Sequence, residues 1–293
     1  MNKRTLNRCA LNRIIRLLVV VLASMGAQVS ATPAVHRVIS LSPIITETIY
    51  LVGAEGKLIA DTTYCNTPKA AQFKEKIGSV TQMNVEKIIR LQPDLVIASA
   101  LSREKQLKTL EGQSIPILRA PNPKTFEQMC EMTLMIGRTL GQEPAARIIV
   151  DRAQKQANQI LERTRNLAKP KVFLQIGLKP LHSANREMFI NEYIRYGGGI
   201  NIAENESSGI YSREKVIREN PDVILIATMG SSKRAGELER KKWMAFKSID
   251  AVKKNRVYVL DPEMICSPTP DTFVEGLGAV LPLLHPQIPW GIQ

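Results

Sequence analysis

Side chains that could carry out chemistry occur in this sequence as scattered residues and not as a catalytic motif. The chain has no Gly-x-Ser-x-Gly elbow, no Gly-x-x-x-x-Gly-Lys phosphate loop and no His-Glu-x-x-His zinc motif. Its histidines, His36, His182 and His285, lie far apart along the chain. A bare zinc or manganese ion needs several histidines and carboxylates together. We therefore expect a binding function, without catalysis, resident metal or cofactor.

The most informative feature of the sequence is a stretch that occurs twice. Residues 86–97 recur 128 residues later as residues 214–225, with six of twelve positions identical. In each copy a residue able to cap a helix, Asn84 or Ser212, precedes a short amphipathic pattern. A proline then ends that pattern, and the continuous apolar run that follows is typical of a buried parallel strand. Each copy is predicted to be a helix followed by a strand.

Apolar runs elsewhere predict further strands, and helical patterns separate most of them. The predicted strands cover residues 37–40, 94–99, 115–119, 171–177, 222–228 and 256–260. Alternating strands and helices indicate parallel sheets covered by helices on both faces. Because the repeat places one copy in each half of the chain, the sequence predicts an α/β fold of two lobes.

Two helices are predicted between these lobes. Thr125 and Gln128 have the spacing of a capping box for a helix that ends near Gly141. A second pattern runs for 25 residues from Glu143 to Leu167, a length of roughly 37 Å as a helix. Its apolar residues recur at spacings of three and four, so one face should contact both lobes. We expect this long helix to act as a stiff backbone that limits hinge motion.

The first 31 residues read as an export signal, in which five basic residues precede a short apolar run and small residues suit cleavage. Removing them lowers the net charge from +13 to +8. The remaining basic residues are mixed with acidic residues, and aromatic residues are few, which argues against a nucleic-acid binder.

We expect a soluble periplasmic protein without a lipid anchor. Its predicted parts are the signal peptide (1–31), an N-terminal lobe (32–122), connecting helices (123–169) and a C-terminal lobe (170–293).

Nine short segments, taken in their order and spacing, are specific to one class of protein. They are residues 37–43, 46–47, 64–68, 82–86, 93–94, 172–177, 197–202, 212–214 and 267–270. Through them the mature chain resembles the helical-backbone periplasmic solute-binding proteins of ABC importers, which carry cobalamin, haem and ferric siderophores. The resemblance is greatest to the cobalamin-binding branch. It implies two lobes joined by one long helix, with the ligand in a cleft between them.

The residues themselves indicate the same place for a ligand, because ligands of open parallel sheets collect beyond the carboxyl ends of the strands. Together with the resemblance, this predicts a set of ligand-binding residues in the loops: Tyr64, Cys65, Val80, Thr81, Gln82, Met83, Ala100, His182, Ser208, Tyr211, Glu263, Met264 and Ser267. The resemblance further implies that Glu86 and Glu214 dock into arginine pockets of the two permease subunits. A carboxylate in the first turn of a helix also has a purely local explanation in the helix dipole. The expected partners of this monomer are a membrane complex of permease and ATPase and a small-molecule ligand.

The identity of that ligand stays open at this point. Where the cobalamin branch has tryptophans around the corrin ring, this chain has Val80, Ala100, Ser208 and Met264, and its two tryptophans, Trp243 and Trp290, lie elsewhere. Methionines and cysteines in the loops suit a corrinoid, another porphyrin or a metal chelate. A cobalamin-like corrinoid is the main hypothesis. A ferric siderophore or haem is the alternative, and an enzyme or polyanion binder is a remote one.

Several other residues have both a functional and an ordinary interpretation. His182 could coordinate cobalt or iron, or could be a solvated histidine. Basic residues near the cleft could attract an anionic ligand or form a solvated rim; these are Lys105, Arg186, Lys233 and Arg234. Cys65 and Cys266 fall in opposite lobes, where a disulfide would lock the cleft, but nothing in the sequence fixes their geometry. Cys130 lies on an apolar helix face and is predicted to be in the core.

Overall fold

The computed structural model describes residues 34–228, 233–266 and 268–290. The predicted export signal and Ser267 lie outside the described residues. Within those three ranges, no helix combines the length and the apolar character that a membrane span requires. The chain from Val35 onward forms a single compact unit with two separate sheets.

The N-terminal sheet has five strands in the order β3-β2-β1-β4-β5, and every neighbouring pair is parallel. Its strands are β1 (Val38–Ser40), β2 (Leu58–Asp61), β3 (Glu75–Lys76), β4 (Leu95–Ala98) and β5 (Ile117–Arg119). Its helices are α1 (Pro43–Leu51), α2 (Val85–Leu91) and α3 (Glu104–Glu111). Short 3-10 turns lie at Glu55–Lys57 and Lys69–Phe73.

The C-terminal sheet has the order β10-β9-β6-β7, and β8 pairs with β6 beside this path. Its strands are β6 (Lys171–Gly177), β7 (His182–Ser183), β8 (Ile200–Asn201), β9 (Val223–Ile226) and β10 (Val257–Val259). All pairs are parallel except β6 with β7. A 3-10 turn (Phe189–Asn191) leads into α6, and the helices of this lobe are α6 (Glu192–Tyr196), α7 (Arg213–Glu219), α8 (Lys233–Trp243), α9 (Asp250–Lys253), α10 (Pro262–Cys266) and α11 (Pro270–Leu284).

All six strands predicted from the sequence are confirmed, each within the predicted span. Four short strands were not predicted: β2, β3, β7 and β8. They are two to four residues long and pair at or near the sheet edges, so they contain too few residues for a recognisable alternation of apolar and polar positions. The fold of two α/β lobes is confirmed, whereas the exact boundaries at residues 122 and 169 stay a prediction.

Two helices join the lobes: α4 (Phe126–Thr139) and α5 (Glu143–Thr164). Thr125 caps α4 as predicted, since its hydroxyl accepts the N–H of Gln128. The reciprocal half of the capping box differs, because the side chain of Gln128 accepts the N–H of Lys124 and not that of Thr125. The long helix α5 begins at the predicted residue and ends three residues earlier than predicted.

Both joining helices divide their buried faces between the two lobes. In the C-terminal core lie Phe126, Met129, Cys130, Val150, Ala153, Ala157 and Ile160. In the N-terminal core lie Met132, Ile136, Leu140, Ala146 and Ile149. The helices approach closely where α4 carries Gly137, since a Cβ at this position would lie 2.5 Å from the Cβ of Ala146. The connection is therefore a packed pair of helices, not α5 alone, and Cys130 lies in the core as predicted.

The sequence repeat is also a repeat in the structure. Asn84 caps α2 and Ser212 caps α7, each by accepting the backbone N–H three residues later. Both helices end in a left-handed residue, Gln92 at φ 46° and Asn220 at φ 48°. This sharp reversal lets the chain enter the buried strands β4 and β9 directly after each proline.

An aspartate fixes each repeat to the first strand of its own lobe. Asp94 accepts the backbone N–H groups of His36 and Arg37 at 2.8 and 2.9 Å, and Asp222 accepts that of Lys171 at 2.9 Å. The hydrogen bonds from His36 and Arg37 hold the pKa of Asp94 below its usual value. The identical Pro-Asp pair of the two copies therefore has a structural role in aligning β1 with β4 and β6 with β9.

Candidate functional site

The loops at the carboxyl ends of the strands carry apolar side chains that no other part of the protein covers among the described residues. Tyr64 is 62% exposed and Leu101 is 68% exposed in the N-terminal lobe, while Ile210 is 51% and Met264 is 37% exposed in the C-terminal lobe. Burying such side chains is favourable, so these four are candidates for contact with an apolar ligand.

The loop that presents Tyr64 follows β2 and is fixed from beneath. Cys65 is fully buried, and its sulfur lies 3.2 Å from the hydroxyls of Thr46 and Thr62. Burial of the thiol raises the pKa of Cys65. A buried neutral thiol is a poor nucleophile and a poor metal ligand. Cys65 therefore supports the loop, while its neighbour Tyr64 faces outward.

The next loop of the same lobe, residues 78–83, is a tight turn. The N–H of Ser79 bonds to the carbonyl of Gln82 at 2.9 Å, and the N–H of Gln82 bonds back to the Ser79 hydroxyl at 3.0 Å. Gly78 has φ +105°, and a Cβ there would lie 2.4 Å from the Gln82 carbonyl oxygen, so only glycine fits. The turn exposes Thr81 and Gln82 and buries Met83 in the core.

Leu101 lies in a turn between β4 and α3. The N–H of Leu101 bonds to the hydroxyl of Ser99 at 3.3 Å, and the N–H of Ser99 bonds to the hydroxyl of Ser102 at 3.2 Å. These bonds hold the turn closed and leave the leucine side chain exposed. Neighbouring Ala100 is also exposed.

In the C-terminal lobe, the segment before α7 is bonded to the segment around β7. Ile210 pairs with His182 as an antiparallel bridge, and the N–H of Tyr211 bonds to the carbonyl of Leu181 at 2.9 Å. Tyr211 is buried with its ring 5.3 Å from that of Phe173, and its hydroxyl donates to a backbone carbonyl. Burial raises the pKa of Tyr211 to about 12. Ser207, Ser208 and Ile210 of this segment are exposed.

Helix α10 contributes the last group of side chains. Glu263 and Met264 are exposed, and the Met264 carbonyl lies 3.4 Å from the hydroxyl of Tyr193. Cys266 is half-buried, and burial raises the pKa of its thiol to about 12. Cys65 and Cys266 both carry free thiols.

Glu47 is a residue of this site that the sequence analysis did not assign. It lies half-buried in the first half of α1. Burial, and then the charge of Glu263, raise the pKa of Glu47 to about 8. The charge of Glu263, a residue of the C-terminal lobe, therefore acts on a carboxyl group of the N-terminal lobe. The pair Thr46-Glu47 was part of the resemblance, which is the signal that could have identified it.

The two repeated glutamates occupy the second position of α2 and α7. Their lysine neighbours are engaged elsewhere, since Lys87 pairs with Glu75 and Lys215 pairs with Glu206. Among the residues that the structure describes, neither Glu86 nor Glu214 has an ion-pair partner. The backbone N–H of Glu214 and the hydroxyl of Ser212 hold the pKa of Glu214 below its usual value. Both side chains are exposed.

A family model described as periplasmic binding protein matches residues 38–264 of this chain. The chain belongs to this family. A substrate-binding lipoprotein of an ABC transporter from Bacillus subtilis is 29% identical over 258 residues, covering 85% of this chain and 80% of the relative. A vitamin B12-binding protein from Yersinia pseudotuberculosis is 29% identical over 220 residues, covering 74% and 76%. The structure of a periplasmic haem-binding protein from Pseudomonas aeruginosa has a TM-score of 0.75 at 23% identity, covering 87% and 94%.

Within this periplasmic binding-protein fold, the predicted ligand residues fall into three groups. The first group is exposed at the carboxyl ends of the strands and consists of Tyr64, Thr81, Gln82, Ala100, Ser208, Glu263 and Met264. Val80 and His182 are half-buried, and Cys65, Met83 and Tyr211 are buried and support the loops from below. The structure does not describe Ser267. Sequence reasoning missed Leu101 and Ile210, each of which lies within two residues of an aligned tryptophan position, Ala100 or Ser208.

The structure also places the basic residues and the two tryptophans that the sequence analysis considered. Lys105, Arg186 and Arg234 are exposed, and the guanidinium of Arg186 bonds to Asn205. The side chain of Lys233 lies outside the described residues. Trp243 is buried and donates to Gln175, and Trp290 packs near His285. Across the described ranges, no group of three or more histidine, cysteine or acidic side chains could hold a metal ion.

Proposed function

We propose that this protein is the periplasmic solute-binding component of an ABC importer that captures a cobalamin-like corrinoid or a related metal chelate. The observation that carries the proposal is the exposed apolar set formed by Tyr64, Leu101, Ile210 and Met264, two residues from each lobe. The ligand is proposed to lie between the lobes and to contact side chains of both. The vitamin B12-binding relative supports a corrinoid as that ligand.

The composition of the set favours a broad, flat and largely apolar ligand. Full burial of one such side chain contributes about 1.5 to 3 kcal/mol. On average about half of each of the four is exposed, so covering them would contribute about 3 to 6 kcal/mol, and polar contacts must supply the rest of a tight affinity. The set contains one aromatic ring and three aliphatic side chains, and the tryptophans of the cobalamin branch have no counterpart in it. Aliphatic side chains bind a ring system through contact area more than through stacking. A site of this kind tolerates variation in the macrocycle.

Delivery is proposed to use Glu86 and Glu214. Each carboxylate projects from a capped helix of one lobe, and neighbouring lysines do not neutralise either. Exposed charges of this kind steer and orient an encounter between proteins. The proposed partners are the permease and ATPase of the inner membrane. The protein would act as a monomer exported to the periplasm by a cleaved signal peptide, with no catalytic step.

Haem or a ferric siderophore is the second candidate ligand. It is favoured by the exposed thioether of Met264 and by the half-buried ring of His182, both in the loops of the C-terminal lobe. Both side chains can coordinate iron. The fold shared with a haem-binding protein is compatible with this alternative.

The test is to purify the protein from its own periplasm, to record its absorption spectrum and to weigh it by native mass spectrometry. A corrin, a haem and a ferric catecholate have distinct visible bands. Calorimetric titration of ligand-free protein with cyanocobalamin and with haemin then ranks the two candidates. Cyanocobalamin binding that is weakened when Tyr64 is replaced by alanine supports the proposal. Absence of binding to either probe contradicts it.

A further inference from the structure

Lys76 occupies the centre of a hydrogen-bond cluster directly beneath the loop of Tyr64. Its ammonium group donates to Oδ1 of Asp61 at 2.7 Å, to the carbonyl of Cys65 at 3.1 Å and to the carbonyl of Ala71 at 2.9 Å. A lysine ammonium has three donors, so all three are used. These bonds join the end of β2, the Tyr64 loop and the following 3-10 turn through one side chain.

The partner carboxylate depends on this lysine. The side chain of Asp61 is fully buried, and its second oxygen, Oδ2, has no hydrogen-bond partner within the described ranges. Burial raises the pKa of Asp61, and the hydrogen bond and charge of Lys76 oppose that rise. A buried carboxylate is tolerated only when it is paired. The ion pair therefore holds Lys76 in place, and Lys76 in turn holds the loop.

The other attachments of the loop are weaker. The hydroxyls of Thr46 and Thr62 contact the sulfur of Cys65, and sulfur is a weak hydrogen-bond acceptor. The loop has two short-range bonds of its own, from the N–H of Cys65 to the carbonyl of Thr62 and from the N–H of Asn66 to the carbonyl of Tyr64, both at 3.1 Å. Two uncharged donors also hold it from outside: the N–H of Thr63 bonds to the carbonyl of Gly78 at 2.9 Å, and the side chain of Gln72 donates to the carbonyl of Asn66 at 3.0 Å. The bond from Lys76 to the Cys65 carbonyl involves a charged donor, and such bonds are stronger. It acts one residue away from the exposed ring of Tyr64.

We propose that Lys76 is a positioning residue for the ligand, which fixes the Tyr64 ring through the carbonyl of Cys65 without touching the ligand itself. The inference rests on the proposed function, in which Tyr64 contacts the ligand. A loop that is ordered before binding does not lose conformational freedom when the ligand arrives. Removing Lys76 should weaken binding only when Tyr64 is present to be positioned.

The experiment is a double-mutant cycle with cyanocobalamin as the probe. Lys76→Met is combined with Asp61→Asn, so that no unpaired carboxylate is left buried. Affinity is measured for wild type, D61N/K76M, Y64A and the triple variant. We expect D61N/K76M to weaken binding roughly tenfold with Tyr64 present and less than about twofold in the Y64A background, because the lost preorganisation acts through the ring. Equal losses in both backgrounds, or no loss with Tyr64 present, would overturn the inference.

Lys74→Met is the matched control. Lys74 is also half-buried and donates to two backbone carbonyls, those of Glu55 and Leu58, but not to the Tyr64 loop. The K74M variant should bind cyanocobalamin within about twofold of the wild-type affinity. A larger loss would count against a specific role for Lys76.

Hydrogen exchange separates this inference from the proposed function. If wild type binds neither cyanocobalamin nor haemin, the proposed function fails, and the role of Lys76 is judged on the loop alone. Faster exchange of the Cys65 and Asn66 amides in D61N/K76M, but not in K74M, supports Lys76 as the residue that orders the loop. Unchanged exchange of these amides overturns it.

Discussion

Replacing Glu47 by glutamine should change how the stability of the ligand-free protein depends on pH. The pKa of Glu47 is raised from 4.5 to about 8, so the folded state binds this proton more tightly than the unfolded state does. Between these two pH values the unfolded chain loses the proton first. The free energy of unfolding therefore falls as pH rises from about 4.5, and levels off above about 8.

The size of the effect follows from the shift. Each pKa unit corresponds to about 1.4 kcal/mol, so a rise of about 3.5 units gives an upper limit of about 5 kcal/mol. Water reaches the half-buried carboxyl, which screens it, and we expect roughly half of that limit. The E47Q variant carries no titrating group at this position. Its stability relative to wild type should improve by about 2 to 3 kcal/mol between pH 5 and pH 9.

The assay is urea unfolding of both proteins, followed by circular dichroism at several pH values from 5 to 9. Glu131→Gln controls for the loss of a surface carboxylate, since Glu131 is exposed on α4. Glu263→Gln should reduce the pH dependence of wild type, because the charge of Glu263 contributes to the shift of Glu47. Parallel pH profiles for wild type and E47Q would refute the reasoning.

Two further predictions concern binding and delivery. Leu101→Ala and Ile210→Ala should each weaken cyanocobalamin binding roughly five- to tenfold, because each substitution removes about 1 kcal/mol or more of apolar contact. Calorimetry measures the affinity, and Ile148→Ala on α5 is the control, since Ile148 is similarly exposed but lies away from the loops. Ile148→Ala should leave the affinity unchanged, and equal losses at all three positions would contradict the assignment. Charge reversal at both Glu86 and Glu214 should abolish uptake of labelled vitamin by cells while affinity in solution stays within about twofold; a loss of affinity would refute the docking role.

Much of the fold could be predicted because its signals are local. The repeated segment contains its own cap, its own proline and its own apolar run, so helix and strand were predicted correctly in both copies. The left-handed ends at Gln92 and Asn220 were not predicted, since the residue before a proline is ordinarily extended. The long helix α5 was predicted within three residues because its apolar spacing is regular over six turns.

The missed features depend on contacts between residues distant in the sequence. Strand β2 ends in Asp61, a residue that single-sequence reasoning assigns to a turn, and its burial becomes acceptable only through Lys76, fifteen residues later. Cys65 and Tyr211 were predicted to touch the ligand from the loops in which they lie, and the structure shows both side chains buried. The sequence does not show which side of a loop faces the core. Ala100 was chosen because it aligns with a tryptophan of the cobalamin branch, and such an alignment does not show that the larger side chain beside it, Leu101, is exposed.

The shared packing of α4 and α5 makes the two lobes thermodynamically inseparable. Each lobe relies on side chains from the same two helices to complete its interior, so neither can melt without exposing part of the other. A fragment that ended before α4 would lack one wall of its hydrophobic interior, and so would a fragment that began after α5. Although the sequence contains the same unit twice, the protein cannot be divided into two stable halves.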